Sequence, residues 1–120
     1  MLNLDTHILI FFADQALRPD EYRCTIGQEL AISDIVLWEI AKLARLRRLK
    51  IDLDDPALHF LLSRLTVIPI SFEIARTSTQ LDLSGDPADE IIAATSVVEK
   101  IPLLTRDGRI RRSRMVPLAL

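Results

Sequence analysis

The chain opens on Asn3-Leu4-Asp5-Thr6-His7, where a short apolar run hands over, through one carboxylate, to a run with helical spacing. Met1 to Leu4 reads as a buried strand. Thr6 to Ala13 reads as a helix capped by Asp5 or Thr6, because a short polar side chain can satisfy the free amides of a first turn. That strand–acid–helix step sets the pattern for the rest of the chain. Leu30 to Ser33, Thr66 to Ile70 and Pro102 to Thr105 are further compact strand-like runs, with Met115-Val116 as a last short one. Helical runs lie between them: Pro19 to Gln28, closed near Gly27; Asp34, as a cap, to about Arg48; Pro56 through Leu58, Leu61, Leu62 and Leu65; Ser71 to about Leu81; and Pro87 to about Lys100. Pro69 places the third strand at an edge or ends its pairing. Strands alternating with helices predict βαβ units and a parallel sheet with helices on both faces, an α/β/α three-layer single domain over residues 1–120.

Size and composition agree with a packed domain. A chain of 120 residues buries roughly two-thirds of its unfolded surface. Hydrophobic residues make up 49% and aromatics 5%, so the core must be aliphatic, and 27% charged residues of both signs argue against disorder. Cys24 is the only cysteine, which excludes an internal disulfide and a thiolate zinc site. The apolar run from Ile8 to Ala13 is too short to span a bilayer, and no basic leader precedes it, so the expected compartment is the cytoplasm, with no membrane partner. The net charge of −2 does not suggest a nucleic-acid partner, but its distribution does. Lys42, Arg45, Arg47, Arg48 and Lys50 carry no acid among them, and Arg106, Arg109, Arg111, Arg112 and Arg114 enclose only Asp107. Segregation of this kind permits a basic groove on an acidic protein.

Four acids stand where chemistry would need them. Asp5 follows the first strand; Glu39 lies in Leu37-Trp38-Glu39-Ile40-Ala41; Asp89 lies in Asp86-Pro87-Ala88-Asp89-Glu90; Asp107 ends Leu103-Leu104-Thr105-Arg106-Asp107. Each has a structural explanation when taken singly. Asp5 can be a cap, and Glu39 can pair with Lys42, an ion pair worth under ~1 kcal/mol. Asp89 suits a first helical turn, and Asp107-Gly108 is a common turn pair. Their order along the chain is more informative. Asp5 and Asp107 each follow a strand and project from the carboxyl edge of a parallel sheet, where open α/β sheets form their ligand crevice. Glu39 and Asp89 lie in helices that leave or approach that edge. Acids gathered there would raise one another's pKa unless a cation joined them. An all-oxygen donor set favours magnesium or manganese over zinc.

These residues resemble the PIN-domain ribonucleases, and within them the VapC-type toxins of type II toxin–antitoxin pairs. The resemblance spans essentially the whole chain and rests on Leu4-Asp5-Thr6, Trp38-Glu39-Ile40, Asp86-Pro87-Ala88-Asp89 leading into Ile92-Ala93-Ala94-Thr95, and Leu104-Thr105-Arg106-Asp107. It implies a magnesium-dependent endoribonuclease (manganese as an alternative) with sheet order 3-2-1-4-5, so that the strands before Asp5 and Asp107 are neighbours. It maps the family's acids onto Asp5, Glu39, Asp89 and Asp107, and a family hydroxyl onto Thr105. Glu90 departs from the pattern, since relatives often carry an arginine there. The family further implies a homodimer and a cognate VapB-type antitoxin whose segment occupies the crevice.

On this reading Asp5, Asp89 and Asp107 hold the metal, and Glu39 orients or deprotonates the attacking water. Thr6, Thr105, Arg106 and Arg109 are candidates for substrate binding. His7 and His59 are isolated and are not expected to bind metal, and Trp38 is expected in the core. Two other function classes fit a similar sheet. A phosphoacceptor domain needs paired acids after the first strand and a lysine after the last, which this chain lacks. A catalytically silent PIN-like scaffold that only binds protein would not require all four acids.

Overall fold

In the computed structural model, which describes residues 1–48 and 50–120, the strand after which Asp5 stands is the spine of the sheet. β1 (Leu2–Leu4) pairs in parallel with β2 (Leu30–Ser33) on one side and with β4 (Leu103–Leu104) on the other; β3 (Thr66–Ile68) pairs with β2 as the edge strand. Among the described residues the order is therefore β3-β2-β1-β4. The fifth strand expected at Met115-Val116 is reduced to a single parallel bridge, Leu103 to Leu118. Val116 is instead a buried core residue, and the chain returns to the sheet through Leu103 N–H to Pro117 O and Ala119 N–H to Leu103 O.

Helices α1 (Thr6–Ala13), α2 (Pro19–Thr25), α3 (Ile35–Arg45), α4 (Pro56–Ser63), α5 (Phe72–Ser78), α6 (Pro87–Glu99) and α7 (Gly108–Arg111) flank the sheet. Pro19, Pro56 and Pro87 open α2, α4 and α6, where the missing N–H costs nothing. Asp55 and Asp86 cap α4 and α6 by accepting from Ala57 N–H and Ala88 N–H, each at 2.9 Å. Several boundaries are shorter than the sequence suggests. Helix α2 stops at Thr25 because Ile26 is extended and Gly27 takes φ +71°, and α3 ends at Arg45, two residues before Arg47 turns to φ +55°. Asp34 stands at the N-cap position of α3 but its side chain bonds no amide of that helix; its carboxylate accepts the amide of Ile70, which the chain brings alongside after β3. Asp107-Gly108, expected as a turn, is the start of α7.

The core is aliphatic, built on Leu2, Leu4, Ile8, Leu9, Ile32, Val36, Ile92, Leu103, Leu104 and Ile110, with a second cluster of Ala31, Ile68, Ile74 and Ala94. Successive side chains of a strand point to opposite faces, so Asn3 lies on the face away from Leu2 and Leu4. Its Nδ2 donates to Ile92 O and Ser96 Oγ, pinning α6 to the central strand. Trp38 is 54% exposed rather than core, with Lys42 Nζ 5.8 Å from its ring centroid. Of the leucine stripe, Leu65 is buried and Leu61 and Leu62 pack against the core from α4. No described helix is long and apolar enough to cross a membrane.

Leu4 is fully buried at the step from sheet to site. Replacing it with alanine should cost ~2–5 kcal/mol, the range for deleting a large aliphatic from a packed core. Urea unfolding followed by circular dichroism checks this, and a loss below ~1 kcal/mol would show that the site collapses around the cavity.

Candidate active site

The site is assembled from hydrogen bonds that join the ends of neighbouring strands. Leu4 and Leu104 are in register across β1 and β4, and Asp5 N–H donates to Leu104 O, so Asp5 and Thr105 leave the sheet side by side. Asp5 is 5% exposed; its Oδ1 accepts from Thr6 N–H, which starts α1, and its Oδ2 accepts from the Thr105 hydroxyl. That hydroxyl oxygen also accepts from Asp107 N–H at 3.0 Å. One threonine thus ties the first acid to the segment that carries the last. Asp107 in turn caps α7, with Oδ1 accepting from Arg109 N–H at 2.8 Å and Ile110 N–H at 3.2 Å.

A second hydroxyl performs the same service for the third helix. Thr6 Oγ1 donates to Glu39 Oε1, so the half-buried Glu39 is held beside the start of α1. Asp89 enters in the first turn of α6, which the Asp86 cap and the Asn3 amide locate. Arg109 spans Asp89 and Asp107, its Nη2 3.6 Å from one carboxylate and 3.7 Å from the other. Its Nη1 donates to Ser84 O, and a Cβ on Gly85 would fall 2.5 Å from that nitrogen, so glycine leaves the room in which the guanidinium lies. Glu90, the departure noted above, turns away to accept from Gly85 N–H.

The electrostatics follow from this crowding. Burial pushes the Asp5 carboxyl up, against the lowering effect of its bonds to Thr105 and Thr6. Burial also raises Glu39. Asp89 is pushed up to about 7, by burial first and then by the charges of Asp5, Glu39, Asp107 and Asp86. No described residue donates a hydrogen bond to Asp89; the half-exposed Arg109 is its counter-charge, and such a pair is worth under ~1 kcal/mol. Asp86 and His7 were not singled out in the sequence as site residues. With Glu39, Leu43, Arg48 and Asp89 they line a small cavity of about 310 Å³.

Among the described residues no three His, Cys, Asp or Glu side chains are grouped so as to hold a metal ion as they stand. Asp107 spends one oxygen on helix amides and Asp5 spends both on neighbours. The donor chemistry nonetheless suits a hard divalent cation: the acids offer carboxylate oxygens, His7 is the one imidazole among the described residues lining the same cavity, and Asp89 carries charge that the protein leaves undercompensated. Magnesium commonly takes one or two carboxylates and keeps several waters, so a complete protein cage is not required.

Arg106, expected beside the substrate, is committed elsewhere. Its Nε and Nη2 donate to both oxygens of Glu21, at 2.8 and 2.7 Å, and its guanidinium lies 4.0 Å from the ring centroid of Phe11. Glu21 is 2% exposed, and the Arg106 hydrogen bonds hold its carboxyl down at about 2. The sequence carried no signal for this pair, since 85 residues separate its members.

A parallel sheet with carboxylates crowded at its carboxyl edge defines an α/β domain of the PIN type. Residues 3–114 match the model of the PIN domain, and the chain belongs to that family. It is similar to Ribonuclease VapC22 of Mycobacterium tuberculosis, 29% identical over 119 residues that cover 92% of this chain and 90% of that protein. Its fold is similar to the crystal structure of VapBC2 from Rickettsia felis bound to a DNA fragment from their promoter (TM-score 0.74, 24% identity, 98% of this chain and 97% of that one). It is also similar in fold to a toxin–antitoxin complex from Klebsiella pneumoniae (TM-score 0.73, 24% identity, 100% and 98%).

Because the folded Asp89 carboxyl titrates near 7 and its ordinary value is 3.8, its stabilising protonation is lost as pH rises through 7. Asp89→Asn should therefore melt higher than the parent in metal-free buffer. The difference should grow from pH 3.8 to about 7 and stay full above it, at a few degrees by the usual relation between stability and melting temperature. Melting curves in EDTA across that range check this; a pH-independent difference would place the repulsion elsewhere.

Proposed function

We propose that this protein is a magnesium-dependent endoribonuclease, with manganese able to substitute, that acts as the toxin of a toxin–antitoxin pair. The observation that carries the reading is the linkage of Asp5, Glu39, Asp89 and Asp107, from four separated segments, through two threonine hydroxyls and one arginine. The name of the mycobacterial relative and the family membership support the activity.

In this reading Asp5, Asp89 and Asp107 hold the metal directly or through water. When bound, the ion acidifies a water and offsets charge that builds on the scissile phosphate. Glu39, half-buried and raised in pKa, accepts a proton from the attacking water or orients it. Thr6 and Thr105 hold carboxylates in place rather than gripping substrate. Arg109, half exposed beside Asp89 and Asp107, is the residue we assign to the RNA backbone, a contact that gives salt-dependent affinity without base choice.

The likeness to toxin–antitoxin complexes supports a VapB-type antitoxin as partner. We assign its segment to a largely apolar cleft of about 870 Å³ lined by Leu9, Phe12, Leu17, Tyr22, Leu58 and Leu61, which is separate from the acidic crevice that the resemblance implied, and we keep a homodimer and a cytoplasmic location as parts of the same reading. The breadth of that cleft favours one alternative: a catalytically silent scaffold that binds only protein.

Incubation of the parent with a mixed RNA pool, with and without magnesium, separates the two. Cleavage should require the metal, and Asp89→Asn should abolish it with the fold intact; a variant still cutting at more than a few per cent of the parent rate ends the assignment. Millimolar magnesium should also raise the melting temperature of the parent, since it binds the native state alone, and leave that of Asp89→Asn nearly unchanged.

A further inference from the structure

The segment Thr105-Arg106-Asp107 has little regular structure to hold it. The strand before it is two residues long and the helix after it four, and elements of that length do not stand alone in water. Arg106, between the threonine that bonds Asp5 and the acid that caps α7, reaches back to α1 and α2. Its planar fork meets both oxygens of a buried carboxylate, the geometry that only arginine offers. Glu21 is itself anchored, because Oε1 also accepts from Arg18 N–H at the start of α2. Phe11 under the guanidinium belongs to α1, the helix that Asp5 caps. The contacts thus form a closed loop: Asp5 to Thr105, along the backbone to Arg106, and through Phe11 and α1 back to Asp5.

We infer that Glu21 and Arg106 are positioning residues for the acidic site, a strut that sets the Thr105–Asp107 segment so that the Thr105 hydroxyl meets Asp5 and Asp107 faces Asp89. Neither touches substrate. The strut's effect on cleavage rests on the nuclease reading; its effect on the segment does not.

The test uses the full chain with Glu21→Gln, Arg106→Lys and Arg106→Gln, and reads amide hydrogen exchange and magnesium dependence separately. Exchange at the amides of Asp107, Arg109 and Ile110 should quicken at least tenfold in Glu21→Gln and Arg106→Gln, while core amides of β1 and α6 stay within threefold. The magnesium concentration for half-maximal cleavage should rise at least tenfold, with Arg106→Lys between parent and Arg106→Gln because it keeps the charge without the fork. A strut that only stabilised the fold would quicken all amides together and leave the magnesium requirement where it was; that result overturns the inference. So does a change under twofold at the three amides. Should Glu21→Gln fail to fold, Arg106→Lys carries both readouts. If the parent cuts no RNA, the nuclease reading falls, and local quickening at the three amides still upholds the strut.

Discussion

Carboxylates brought together in a half-buried crevice repel one another, and the whole carboxyl edge of this sheet is arranged around that cost. Asp89 bears the clearest mark of it, raised to about 7 by burial and by four neighbouring acids. The protein relieves the others with donors that are already part of the fold. Asp5 takes a helix amide and a threonine hydroxyl, and Asp107 takes two helix amides; such bonds stabilise a charged carboxylate and offset its desolvation. Glu39 takes one hydroxyl. Asp89 is left with a single exposed arginine. A cation entering this edge would therefore gain most at Asp89, where the protein has supplied least.

The two threonines show how the fold converts strand register into site geometry. In a parallel sheet the residues following paired strands emerge together, so Asp5 and Thr105 are neighbours once Leu4 and Leu104 are in register. A slip of one residue would send every side chain to the opposite face and break the Asp5–Thr105 bond along with the core contacts of Leu4 and Leu104. Core and site are thus specified by one register. Thr6 extends the arrangement outward, since the residue whose amide bonds Asp5 also offers its hydroxyl to Glu39.

Much of this was legible along the chain, for reasons that are local. The alternation of apolar runs with capped helices gave the parallel sheet, because periodicity and proline–aspartate starts are short-range signals; Asp55-Pro56 and Asp86-Pro87 open helices as their order requires. The order of the first four strands agrees with the expected one. What failed was set by tertiary contact. Met115-Val116 has strand-like residues but no room for a ladder beside the two-residue β4, so the chain makes one bridge further on at Leu118. Asp34 has the identity of a helix cap, yet Ile70 arrives with a free amide and takes its carboxylate. Trp38, expected in the core as a large aromatic, stands exposed on α3, two residues from each of the buried Val36 and Ile40.

The site divides in the same way. Asp5, Asp89 and Asp107 stood out because each sits at or near the start of a helix, where an acid also has a local reason to be; Glu39, inside α3, stood out by its apolar neighbours Ile35, Val36 and Leu43. Thr6 and Thr105 were visible as hydroxyls beside acids, but their role was not: whether a threonine grips a ligand or a neighbouring carboxylate depends on distances that spacing does not encode. Arg106 is the sharpest case. In sequence it is one of five arginines around Asp107, indistinguishable from the solvated ones. In the fold it is the member that meets a buried glutamate 85 residues earlier. A buried carboxylate stripped of its partner is costly, whereas a solvated arginine can be replaced with little effect. The burial of Glu21 is therefore what separates Arg106 from its neighbours, and it makes the basic stretch after β4 two things at once: an anchor facing inward at Arg106 and a cationic surface facing out at Arg109.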